Sequence, residues 1–234
     1  MSMGAEERVA AGIDHSEAGA ASKPLLRGWL HVAAALAAVV FTIVVCWRSR
    51  ADTPRLVSLL IFGLSMVELY GVSATYHVGR WTGATRRRLR ALDHANIFVQ
   101  IAGTYTPLCF NVLTGPARVA ILCAIWALAA AGVGSATLTP QAPRWLRAAL
   151  YVAMGWVALL ALPAFLAALP WQATAGLAAG GILYTLGALV YALRWPDPFP
   201  RVFGFHEIFH ALVVAGGITF AAVVWIWVLP FPRA

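Results

Sequence analysis

Long apolar runs separated by short polar turns fill the chain from Gly28 onward. Seven of them, residues 28–47, 56–77, 92–113, 117–137, 145–168, 171–193 and 205–229, reach the ~20 residues that a helix needs to cross the hydrocarbon of a bilayer. None shows the two-residue alternation of a membrane barrel strand, and helices are the other way to satisfy every backbone group in lipid. The pattern predicts an all-α integral membrane protein, a seven-transmembrane helix bundle. Pro116, Pro140, Pro143, Pro170 and the three prolines of 195–200 mark the turns. Trp29, Trp47, Trp81, Trp145, Trp171 and Trp195 stand at run ends, where an interfacial aromatic belt belongs. Gly132, Gly134, the glycines of 176–181, Gly216 and Gly217 are expected at close helix contacts. No internal repeat is visible, which speaks against an inverted-repeat transporter.

Composition sharpens this picture. Apolar residues make up 61% of the 234 and charged residues 11%, against about 25% charge in a soluble domain. The net charge of +8 raises the question of nucleic acid, but its distribution follows membrane topology instead. Twelve basic residues (Arg8, Lys23, Arg27, Arg80, Arg86, Arg87, Arg88, Arg90, Arg144, Arg147, Arg194, Arg201) fall on the N-terminal side, and five (Arg48, Arg50, Arg55, Arg118, Arg233) on the other. The positive-inside rule then places the N-terminus in the cytoplasm and the C-terminus outside. The basic loop from Arg80 to Arg90 can also attract anionic lipid. Residues 1–24 lack the basic start and apolar core of a signal peptide and read as a disordered cytoplasmic tail; residues 25–234 form the membrane domain. Cys46, Cys109 and Cys123 lie inside runs and are expected as small core residues.

Ionisable side chains at membrane depth persist mainly where they pair, bind an ion or line a pathway. Ser73 and His77 close the second run toward the cytoplasm, Asp93 opens the third, and His206 and His210 open the seventh. Topology therefore brings all five to one membrane level, within about two helical turns of the boundary. Ser73 and His77 are i,i+4 and share a face, as do His206 and His210, the latter at the spacing by which one helix supplies two zinc ligands. Asp93, Gln100 and Thr104 fall on one stripe of their helix. Three imidazoles leave a tetrahedral position for water, as in catalytic zinc sites, and a nearby carboxylate orients or deprotonates that water.

The remaining polar residues have plainer readings. His31 near an interface and His15 in the tail receive no role. His94 is turned about 100° from Asp93 and reads as a helix-end residue near the site. Glu68 lies opposite His77 and reads as a packing or hydrogen-bond partner. Glu207, about 60° from His210, competes with Asp93 as a base.

Three segments, Glu68-Leu-Tyr-Gly-Val-Ser73-Ala-Thr-Tyr-His77, Asp93-His-Ala-Asn-Ile97 leading into Ile101-Ala-Gly-Thr-Tyr-Thr-Pro107, and His206-Glu-Ile-Phe-His210, resemble the bacterial hemolysin III family. That family stands with the progestin and adipoQ receptors and the alkaline ceramidases in one superfamily. The resemblance implies a seven-helix fold in the cell membrane, zinc ligands at His77, His206 and His210, a serine at Ser73 and a water-holding aspartate at Asp93. It implies a zinc-dependent hydrolase acting on a lipid amide or ester, with Zn²⁺ as cofactor. A receptor, a transporter or a lytic protein with a structural zinc is the alternative. A retinal protein is excluded, because the only lysine, Lys23, lies in the tail and no run offers a Schiff-base amine.

Overall fold

The computed structural model describes residues 24–232. All of the expected tail except Pro24 lies outside them, as does His15. Seven long helices follow one another: α1 (Trp29–Arg48), α2 (Thr53–Val78), α3 (Gly83–Val112), α4 (Gly115–Leu138), α5 (Arg144–Ala168), α6 (Trp171–Leu193) and α7 (Phe205–Val228). Turn chemistry sets several boundaries. The Asp52 carboxylate accepts the Arg55 N–H at 3.1 Å with Pro54 in the first turn of α2, and Gly115 takes a left-handed φ of 62° ahead of Pro116 at the start of α4.

Consecutive helices pack as neighbours, and α1 returns to α7, so the bundle closes on itself. Polarity is inverted relative to a soluble protein. Leu36, Val40, Ile43, Leu138 and Leu160 are exposed, while Ser58, Ser65, Asn96, Gln100, Thr104 and Asn111 are buried. Lipid as solvent explains both halves of that pattern. All six belt tryptophans are exposed at helix ends, as expected.

Six of the seven helices are long and apolar enough to cross a membrane. The exception is α3, which contains the expected third run. Its first two turns are exposed and carry Arg86, Arg87, Arg88 and Arg90, whereas nearly every residue from Ala95 to Val112 is buried. It touches α2, α4, α5 and the last turn of α7. A central helix surrounded by protein does not need an apolar surface, so it can hold the polar residues that a lipid-facing helix cannot.

Small residues mark close approaches, with one correction. A methyl at Gly132, Gly180 or Gly216 would fall on the rings of Phe98, Phe220 or Tyr184, but Gly134 faces open space. The cysteines also divide: Cys109 is core, Cys46 half-buried and Cys123 exposed, so only one is the core residue expected.

Two features bear directly on the site. α5 changes to a 3-10 helix over Trp156–Ala161, which leaves backbone groups unpaired. The Tyr105 hydroxyl of α3 donates to the Gly155 carbonyl at 2.6 Å and accepts the Ala158 N–H, replacing what the break removes. At the other side, the segment before α1 is clasped to α7. Leu25 and Leu26 donate to the carbonyls of Arg201 and Val202, and Arg27 pairs with Glu207.

Candidate metal centre and cavity

His77 ends α2, and His206 and His210 occupy the first two turns of α7. One ligand nitrogen from each lies within 4.8 Å of the other two. His77 and His210 are buried and His206 half-buried. The Nε2 atoms of His77 and His206 stand 3.2 Å apart, close to the ~3.3 Å edge of a tetrahedron of nitrogens bound to zinc at ~2.05 Å. Three neutral imidazoles converging in this way fit a borderline-soft divalent ion well.

The other two predicted residues sit beside them. Asp93 Oδ2 is 3.5 Å from His77 Nε2, and the Ser73 hydroxyl lies against the same carboxylate. Asp93 is not within reach of all three nitrogens, which leaves the histidines as the ligand set and the carboxylate at its edge. The structure thus brings Ser73, His77, Asp93, His206 and His210 together from three helices. Backbone geometry helps: Gly28 takes a φ of 86° directly against His77, so the start of α1 can approach the end of α2.

A cavity of about 250 Å³ opens from this cluster. Asp93, Ser73, His206 and His210 line its polar end, while Leu108, Leu159, Leu162 and Phe165 line its apolar depth. Gln100 and Thr104 line it too, so the stripe expected on α3 faces the interior. Ser65 donates to Gln100 at 3.0 Å, and Gln100 donates to Thr104 at 3.2 Å.

Four residues differ from their plain readings. His31, assigned no role, is buried in the first turn of α1 and stacks on His210, with ring centroids 3.8 Å apart and planes within 9°. No signal within its own helix announces this, because its partner lies on the last helix. His94 faces a separate cluster: Arg147 Nη1 approaches its Nδ1 at 3.1 Å and the Tyr191 hydroxyl its Nε2 at 3.3 Å. Glu207 has partners of its own, accepting from the Gly204 N–H at 2.9 Å and pairing with Arg27. Glu68 exposes its side chain, and only its backbone carbonyl takes the expected hydrogen bond, from Asn96 at 3.4 Å.

Fold and site together define a polytopic helical membrane protein with a buried three-histidine centre at one end. The chain belongs to the haemolysin-III-related family, whose model matches residues 20–221. It is 30% identical over 203 residues to Hemolysin-3 of Bacillus cereus, covering 85% of this chain and 88% of that protein. A Hemolysin-3 homolog of Bacillus subtilis (strain 168) is 34% identical over 161 residues, 69% of this chain and 72% of its own length. The heptahelical transmembrane protein ADIPOR2 of Oryza sativa subsp. japonica is 35% identical over 181 residues, 68% and 77% of the two chains. The chain is accordingly a multi-pass membrane protein, consistent with a bacterial cell membrane.

Proposed function

We propose that this protein is a zinc-dependent membrane hydrolase that cleaves a lipid amide or ester. The observation that carries the reading is the position of the three imidazoles, with Asp93 and Ser73, at the polar end of a cavity whose depth is apolar. Zinc, when bound, supplies a Lewis acid and a water acidic enough to attack at neutral pH. His77, His206 and His210 hold the ion. Asp93 accepts the proton of the attacking water and returns it to the departing amine or alkoxide. Ser73 donates a hydrogen bond to the carbonyl oxygen as it gains charge. The apolar depth receives the acyl chain and keeps bulk water from the carbonyl.

With twelve basic residues against five, the chain crosses seven times with its N-terminus in the cytoplasm and its C-terminus outside. The rice relative is called a heptahelical transmembrane protein, which supports the count. The active site then meets lipid from the cytoplasmic leaflet, where the loop from Arg80 to Arg90 attracts anionic headgroups.

The test is release of fatty acid from a ceramide and from a phospholipid ester by the purified, zinc-loaded chain, with metal content measured in parallel. Zinc near one per chain and acyl release from either substrate support the reading. Stoichiometric zinc with no release from either, for wild type, replaces the hydrolase with a membrane protein whose zinc is structural. The names of the Bacillus relatives point to lysis, so lysis of red cells by the same preparation is the second readout.

A further inference from the structure

We infer that His31 is a ligand-binding residue of this site, hydrogen-bonding the uncharged polar group, a carbonyl or hydroxyl, of the lipid that enters the cavity. This deepens the reading of the cavity as a lipid site and does not depend on turnover.

The side chain is only 3% exposed, and neither ring nitrogen has a hydrogen-bond partner among the described residues. It lines the same cavity as Asp93, Ser73, His206 and His210. A buried imidazole without partners is costly, and any apolar residue of similar size would fill the space between Tyr70 and His210 without that cost. The stack also determines what His31 does not do. Two parallel rings 3.8 Å apart cannot both aim in-plane lone pairs at one ion held at ~2 Å. His31 is therefore no fourth metal ligand, and it stands outside the set of converging nitrogens. What remains is one donor and one acceptor fixed one ring-thickness from His210, at the polar end of the cavity.

The charge nearby selects the chemistry of the ligand. Arg27, two residues before α1, is committed to Glu207, and Asp93 contributes a negative charge. Among the described residues Asp93 is the carboxylate whose charge bears on His31, and no arginine does, so the partner of His31 is a neutral amide, ester or hydroxyl group.

The test uses the full chain in nanodiscs, stripped of metal so that binding is read without hydrolysis, and a fluorescent ceramide as probe. A second, uncharged probe of the same length has methylenes in place of the whole amide group and no hydroxyl groups. His31→Phe keeps a stacked ring and removes both nitrogens, while His31→Gln keeps a donor and an acceptor. The wild type should prefer the ceramide to the second probe. His31→Phe should bind ceramide about tenfold more weakly and lose that preference, and His31→Gln should recover part of it. Zinc reloaded into His31→Phe should match wild type. Unchanged ceramide binding by His31→Phe, or failure of that variant to reload zinc, overturns the assignment. Should His31→Phe not fold, a His31→Gln variant that binds both probes equally overturns it as well. Selective binding by a wild type that never hydrolyses refutes the hydrolase and leaves His31 in its role. Hydrolysis by a wild type whose His31→Phe variant still prefers ceramide refutes the role and leaves the hydrolase.

Discussion

Asp93 and His94 are consecutive on α3, yet they serve two polar clusters of opposite character. Around His94 the hydrogen-bonding groups close on one another. Arg147 always donates, so His94 Nδ1 accepts and its Nε2–H faces the Tyr191 oxygen. Arg147 also donates to the carbonyls of Thr139 at 3.0 Å and Pro140 at 2.7 Å, and the Tyr151 hydroxyl donates to the His94 carbonyl at 3.0 Å. This cluster ties α3, α5, α6 and the α4–α5 turn together, its polar groups bonded mainly to one another, while His94, Tyr151 and Tyr191 also line the cavity wall. Around Asp93 the nitrogens of His77, His206 and His210 converge, and the contacts that His77 makes there are with His206 and Asp93. Polarity at membrane depth is therefore not sufficient to mark a site. What marks it is the convergence of groups that could share one ion.

The contrast breaks most readily at the metal. His206→Ala or His210→Ala leaves two imidazoles, and purified protein should lose nearly all of its zinc and all hydrolysis. Equal zinc in wild type and both variants, by elemental analysis, would remove the open cluster's distinguishing property. Next comes Asp93→Asn, which keeps the shape and cannot take a proton at neutral pH. Zinc should stay while amide hydrolysis falls about a hundredfold; loss of the ion would make Asp93 a direct ligand. In the closed cluster the expected response is the reverse. Arg147→Met strands His94 Nδ1 and two carbonyls, so thermal unfolding should move down by an amount equivalent to roughly 1–3 kcal/mol while zinc per folded chain is unchanged. Smallest is Glu207→Gln, which keeps a cap acceptor and weakens the pair with Arg27. Hydrolysis should change by less than about threefold, and abolition of activity with zinc retained would make Glu207 the base.

Much of this was legible in one dimension because it is local. Apolar length predicts the helices, and i,i+4 spacing puts His206 with His210 and Ser73 with His77. Alternating direction across the membrane brings distant helix ends to one level without any knowledge of packing. The unreadable parts are those set by which helix meets which. His31 carries no mark of its stack on His210, since ring closure between α1 and α7 has no signature in spacing. The angle of Glu207 on its helix is compatible with a base, and its pairing with Arg27, 180 residues away, has no signature in spacing. The 3-10 break in α5 falls within a run as apolar as its neighbours, and the Tyr105 hydroxyl that mends it sits two helices earlier.

The clasp between the first and last helices has a consequence for biogenesis. A polytopic chain enters the membrane from its N-terminus, so Arg27, His31 and His77 are in place while α7 is still to be made. His206 and His210 of the three-histidine cluster and the partner of Arg27 arrive in the same two turns of α7, at the end of synthesis. A chain stopped before Phe205 has no centre to load, however well its first six helices insert. Were an ion bound there, its capture would report that the last helix has docked, and the metal would act as a seal on a finished molecule.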